Sequence, residues 1–335
     1  MLTRVLRLVV MGLALLPLAA AAEPITLKLS FFTSDRSVIY LAAIKPFVDA
    51  VNRDGSGVLH IDVYPSGTLG RVQSELPQLL LNGGADIAFV VPGQTPDRFA
   101  DEAAIELPGL FRDVREATSV YTRMMAAGAL RGYDDFFVIA AFATDPETFH
   151  SRKRLTSLAE LKGQKFRTNN PTSSETVKAL GALPILLALN DTNPAIGSGA
   201  VDGACVALAQ LFDVGIGRLT SNHFLLPTTS APLTLLMPRK LFDSLPGNAR
   251  DLIVKYSGDW AAARYIETVE ENDKEVLRQI QGDPRRVVAY PSAEDLKTAQ
   301  ATFKSIRDTW AAASPRNAAL LARLDAELAK LRADK

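Results

Sequence analysis

The sequence predicts a two-lobed α/β fold, a hinged clamshell, and three observations lead there. Strand-like and helix-like patterns alternate along the first hundred residues. Two helix-to-strand corners, far apart in the chain, resemble one another. The chain has 335 residues, 47% of them hydrophobic and 22% charged, which is globular composition with enough length for two domains.

Ile25-Thr-Leu-Lys-Leu-Ser30 alternates apolar and polar residues, as a half-buried strand does. Ser37 to Asn52 reads as a helix, with Ile39, Ala42, Ala43, Phe47 and Val51 close to helical spacing. Leu59 to Tyr64 alternates again and leaves through the turn-rich Pro65-Ser-Gly-Thr-Leu-Gly70. A helix through Leu76 to Leu81 and the apolar run Ile87 to Val91 complete a strand–helix order that implies βαβ units and a largely parallel sheet. Asp113 to Ala129 reads as helix and Phe136 to Phe142 as strand, with a second lobe starting near Thr144.

In that second lobe, Gln164 to Thr168 reads as a strand, followed by a helix to Gly181. Pro232 to Met237 reads as a strand returning to the first lobe. Pro246 to Gln281 reads as one long helix, opened by a proline suited to its first turn and stopped by Gly282-Asp-Pro. A last helical region, rich in Ala, Leu and Lys, runs to Lys335. The echoing corners are Asn82-Gly-Gly-Ala-Asp86 and Ser198-Gly-Ala-Val-Asp202, each with glycine at a helix end and aspartate at the next strand's start. Asp86 and Asp202 are therefore expected to be turn and cap residues rather than paired acids.

Lys plus Arg and Asp plus Glu both number 37, so the formal net charge is zero. No basic surplus favours nucleic acid as a partner. Arg4 and Arg7, then an apolar run from Leu8 to Leu18, then four alanines ending at Ala22, describe a secretory signal peptide over 1–22. The run is short for a transmembrane span. Cys205 is the single cysteine, so an internal disulfide and a cysteine-rich metal site are both excluded; it reads as a buried, inert thiol.

Catalytic signatures are missing. His60, His150 and His223 are scattered and predict no close metal-binding pair. No zincin motif, nucleophile elbow or phosphate-binding glycine loop is present. No enzyme activity, cofactor or metal is expected.

Arg167 is the candidate anchor. It lies at the carboxyl end of the strand read over Gln164 to Thr168, where open α/β sheets place ligands if that strand is parallel. Asn170-Pro171 follows as a cap and first-turn residue for the next helix. A guanidinium fork beside a helix N-terminus favours a carboxylate. At this spacing a solvated surface arginine is the other reading.

The run Leu158-Ala-Glu-Leu-Lys-Gly-Gln-Lys-Phe-Arg167, then Gly181-Ala-Leu-Pro184, then Gly199-Ala-Val-Asp202-Gly203 resembles the DctP-type solute-binding proteins of TRAP (tripartite ATP-independent periplasmic) transporters. The likeness extends back through Tyr64 to Gly70, Gly84 to Phe89 and Glu106-Leu-Pro-Gly-Leu-Phe111. The resemblance implies a periplasmic-binding-protein clamshell with a hinge and a long helix spanning both lobes. It implies lobe I over 23–143 plus 233–270, and lobe II over 144–232 plus 271–335 with the C-terminal helices. It implies a periplasmic receptor that closes on a small organic acid and delivers it to the subunits of an inner-membrane permease, its only membrane contact.

By that resemblance Arg167 pairs with the ligand carboxylate, and Phe32, Val91, Gln94, Glu147, Asn170, Leu189 and Val206 complete the ligand-binding set. The family pattern is not followed throughout. Glu147 stands where sialic-acid-binding relatives carry a second arginine, and Ala204-Cys205-Val206 where many members have Gln-Glu-Asn. An apolar or aromatic body against Phe32, Val91, Leu189 and Val206 is one implied ligand; a zwitterion with its amino group on Glu147 or Asp145 is another. A ligand sensor feeding a membrane signalling receptor could use the same cleft, and a secreted enzyme is a third reading.

Overall fold

The structure, a computed structural model, describes residues 24–333; the predicted signal peptide lies outside the described residues. Among the described residues eleven strands occur in chain order: β1 (Ile25–Ser30), β2 (Leu59–Tyr64), β3 (Ile87–Val90), β4 (Phe136–Ala143), β5 (Thr148–Ser151), β6 (Lys165–Thr168), β7 (Leu183–Leu186), β8 (Gly203–Val206), β9 (Asn222–Phe224), β10 (Pro232–Pro238) and β11 (Val287–Ala289). They form a five-stranded sheet in the order β2-β1-β3-β10-β4 and a six-stranded sheet in the order β11-β9-β5-β8-β6-β7. In each sheet a single strand runs against its neighbours: β10 in the first and β5 in the second. These are the strands by which the chain enters a lobe after crossing, and every other pairing is parallel. The largely parallel lobes expected from the βαβ order are thus present.

Two of the chain's crossings between the lobes, residues 144–147 and 228–231, pair with one another. Thr144 N donates to Ala231 O (3.0 Å), Glu147 N to Thr229 O (2.7 Å) and Thr228 N to Glu147 O (3.0 Å). The hinge is therefore a short antiparallel ladder, whose backbone bonds hold the two crossings at a common pivot.

The echoing corners share one geometry. Asp86 N donates to Lys28 O (2.9 Å) while Lys28 N donates to the Asp86 carboxylate (2.7 Å). Asp202 N donates to Lys165 O (2.7 Å) while Lys165 N donates to the Asp202 carboxylate (2.9 Å). Each aspartate thus extends the ladder of the neighbouring parallel strand by a side-chain bond. The preceding glycines, Gly83 (φ 74°) and Gly199 (φ 80°), take the left-handed conformation that ends a helix.

The long helix departs from expectation. Gly247–Lys255 and Asp259–Gly282 are separate helices, parted at Gly258 with φ 58°. With φ 58° and ψ −125° that glycine cannot continue a right-handed helix, and the sequence pattern ran through it because one glycine leaves hydrophobic periodicity intact. The second piece still spans both lobes: Ala261, Tyr265 and Val269 pack in the first lobe's core, Val276 and Ile280 in the second's. Near the N-terminus, the helix read from Ser37 opens as a π-helical turn, Tyr40–Ile44, before Lys45–Asp54 continues as α-helix. Pro46 lacks the N–H that an α-helical ladder needs there.

The C-terminal region is two helices, Ala293–Ala312 and Pro315–Ala333. Ala299 and Phe303 of the first pack in the second lobe. Leu320, Leu324 and Leu328 of the other pack in the first lobe's core, which corrects its placement in lobe II. Their i, i+4 spacing marks a buried stripe but not the lobe that covers it. No helix among the described residues is long and apolar enough to cross a membrane.

Candidate functional site

Between the lobes, the carboxyl ends of the parallel strands face each other. From the first lobe come Phe32, just after β1, and Val91 and Gln94, just after β3; Ile39 and Gln73 stand beside them. From the second come Arg167 and Asn169 at the end of β6, Leu189 after β7 and Gln210 after β8. Ala231 and Leu233 close the cavity on the hinge side. The space inside is small, about 30 Å³ for the centres of water-sized molecules, because the lobes are drawn together. Hydrogen bonds across the cleft include Gln94 Nε2 to Asn169 O, Asn190 Nδ2 to Phe32 O (3.1 Å), and Val38 N to the Asp213 carboxylate (2.8 Å).

Arg167 is 2% exposed. Its Nε donates to Leu187 O (2.9 Å), which fixes the plane of the guanidinium. Among the described residues its two terminal nitrogens have no hydrogen-bond partner, and no carboxylate lies within ion-pair distance. Burial works against its charge and the nearby Glu147 supports it. A desolvated guanidinium with an empty fork is costly unless an anion completes it.

Glu147 does not line the cavity. It is buried at the hinge, where its carboxylate accepts from Asn169 Nδ2 (2.7 Å), Ser173 Oγ (3.3 Å) and Thr229 Oγ1 (3.1 Å). Burial pushes its carboxyl up to about 7, with Arg167, Thr229 and Ser173 pulling the other way. Those three donors tie it to both a crossing strand and the second lobe, so an amino group facing it would have to displace them. Asn170 and Val206 are corrected as well. Asn170 Oδ1 accepts from Ser173 N (2.7 Å) as the N-cap of helix Pro171–Ala179, and the side chain stays off the cavity wall. Val206 is fully buried in the second lobe's core beside Ile196 and Leu211.

Of the residues singled out from sequence, Arg167, Phe32, Val91, Gln94 and Leu189 are brought together on this cavity. Gln73, Asn169 and Gln210 were missed, and they make the lining more polar than expected. Isolated amides in single helical turns and bends carry no periodic signal, so only the packing of the lobes reveals them. The histidine reading also changes. β5 and β9 bring His150 and His223 into register, with their Nδ1 atoms 2.9 Å apart and Arg286 Nη1 3.1 Å from His223 Nε2. Burial and the neighbouring positive charge depress both imidazoles, His223 to about 4. No cluster of three or more His, Cys, Asp or Glu that could hold a metal exists among the described residues. Cys205 is buried, and burial raises its thiol well above the usual range.

The fold and sequence match known proteins. The DctP family model, described as "Bacterial extracellular solute-binding protein, family 7", matches residues 29–313. A solute-binding protein of Verminephrobacter eiseniae is 24% identical over 262 residues, 77% of this chain and 78% of the relative. The C4-dicarboxylate-binding periplasmic protein DctP of Rhodobacter capsulatus is 25% identical over 295 residues, 82% of this chain and 84% of the relative. Among solved structures, a TRAP solute-binding protein from Rhodoferax ferrireducens in complex with copurified benzoate superposes with a TM-score of 0.84 at 22% identity, covering 91% of this chain and 98% of that one. The two-lobed architecture, the buried cleft and a family match along most of the chain agree: this chain belongs to the DctP family of bacterial extracellular solute-binding proteins.

Proposed function

We propose that this solute-binding protein captures a small organic acid in the periplasm, with the ligand carboxylate on the Arg167 fork, and hands it to the membrane subunits of a TRAP permease. The observation that carries the reading is the buried guanidinium on the interlobe cavity, whose terminal nitrogens have no partner among the described residues. Phe32, Val91 and Leu189 offer apolar surface to the body of the acid. Benzoate in the Rhodoferax protein and a C4-dicarboxylate in the Rhodobacter relative are acids of this kind. Gln94 and Asn190 reach across the cleft only when it is shut, so closure and ligand contact reinforce one another. No covalent step is needed, and the role is that of a receptor rather than an enzyme.

Thermal-shift screening of refolded mature protein against dicarboxylates, 2-oxo acids, aromatic acids, sugar acids and zwitterions tests this. Refolding removes a co-purified ligand, and a true ligand raises the melting temperature by mass action. A shift with one acid class, lost in Arg167→Ala, is expected. Shifts only with compounds lacking a carboxylate would overturn the reading.

A further inference from the structure

Resting on the carboxylate reading, we propose that Asn169 sets specificity by accepting a hydrogen bond from a hydroxyl on the ligand, so that the acid this protein takes is a hydroxylated one. Asn169 lines the cavity and is 7% exposed. Its backbone oxygen accepts from Gln94 across the cleft, which anchors the residue in the closed form. Its Nδ2 is committed to the Glu147 carboxylate at 2.7 Å, and that bond orients the amide. Oδ1 is then left buried, with no hydrogen-bond partner among the described residues.

A buried carbonyl oxygen without a donor is costly, and native structures supply it with one. Arg167, on the same cavity wall, is committed to the carboxylate on the reading above, so the missing donor belongs to another part of the same ligand. The amides of Gln73 and Gln210, both buried on the cavity wall and without side-chain hydrogen bonds among the described residues, give that part further polar company. A plain acid would leave Oδ1 unsatisfied, and a ligand hydroxyl would satisfy it. A site built to bond a hydroxyl discriminates strongly against the analogue that lacks one.

The test is isothermal titration of matched acids at pH 8, where the Glu147 carboxyl, raised by burial to about 7, is mostly ionised and keeps the amide this way round. The pairs are benzoate with 3-hydroxybenzoate, phenylacetate with mandelate, and succinate with malate. For the pair that binds, wild-type protein should favour the hydroxylated member by about tenfold or more. Asn169→Ala should bring that ratio to within about twofold of unity. Ser173→Ala removes a different donor from Glu147 and should leave the ratio unchanged, which separates specificity from support of the hinge. Equal binding of both members by wild type, or a ratio preserved in Asn169→Ala, overturns the inference. The wild-type ratio decides even where the alanine variant fails to fold. Plain acids that bind equally well to Arg167→Ala would instead bring down the carboxylate reading itself, and this inference with it.

Discussion

Replacing Arg167 by methionine keeps an unbranched apolar stem in the same place and deletes the fork. In the folded protein the side chain is 2% exposed and its one hydrogen bond among the described residues is from Nε to Leu187 O. The terminal nitrogens are thus available for a paired contact, with each hydrogen bond to a charged group contributing about 1.5–3 kcal/mol. Removing one partner of a desolvated charge pair costs about 2–5 kcal/mol. At about 1.4 kcal/mol per tenfold, the dissociation constant of the best acid should rise by roughly a hundred- to a thousandfold in Arg167→Met. Arg167→Lys keeps the charge but not the planar fork, and should fall between the two. Without ligand, the methionine variant loses one hydrogen bond and one desolvated charge, which offset each other, so its melting temperature should stay close to wild type. Isothermal titration on refolded protein, with a melt of each variant, measures both. Binding within threefold of wild type in a folded Arg167→Met protein would refute the argument, because no other described cation lines the cavity.

Glu147→Gln should flatten part of the pH profile of stability. Its carboxyl, raised by burial to about 7, holds a proton in the folded chain that the unfolded chain releases near 4.5; stability it contributes below pH 4.5 is lost as pH rises through 7, by roughly 3 kcal/mol. Urea unfolding at pH 5 and pH 8, read as the difference between variant and wild type, isolates it from Glu102, Asp213 and Asp273, which burial raises likewise. The depressed His223 acts in the opposite sense: its contribution is present above pH 6.5 and lost as pH falls toward 4, so His223→Phe should lessen the loss of stability between pH 6.5 and 4.5 in the same assay. Asp213→Ala removes a charge-assisted bond to Val38 N that exists only with the lobes together, and should weaken ligand about tenfold without touching the cavity wall, measured by titration and by the radius of gyration in solution scattering. Gly203→Ala would set a Cβ 2.1 Å from His150 O in the β5–β8 ladder, a backbone atom that cannot step aside. It should destabilise the second lobe by about 3 kcal/mol or more, seen as a lowered denaturation midpoint.

Much of this fold is legible in the chain because its signals are local. Alternation marks β1 and β2, and the apolar run Ile87 to Val91 marks β3. The glycine-aspartate corners announce two parallel strand junctions, and the same pair of bonds to a lysine of the neighbouring strand gives them a shared geometry. Arg167 stands at the carboxyl end of a strand beside a capped helix start, a spacing that a solvated surface arginine also fits, and the family resemblance is what singled it out as the anchor. The strands that were missed, such as β5, β7, β9 and β11, span only three or four residues, too few to establish a period of two. Their partners lie tens of residues away, so only the assembled sheet identifies them.

The sequence by itself determined the α/β class, the two lobes and a helical pattern over 246–281, since propensity, periodicity and capping act within a few residues. Arg167 as an anchor rested on the family resemblance, and the break at Gly258 appeared only in the fold. Tertiary structure alone decided what surrounds that arginine. It turned Glu147 from a cleft residue into a hinge anchor, sank Val206 into the core, and brought Asn169, Gln73 and Gln210 to the wall. It paired His150 with His223, and carried the last helix back to the first lobe. Each of these depends on which buried surfaces meet across distant parts of the chain, and hydrophobic burial, being non-directional, marks a residue as inside without naming its neighbours.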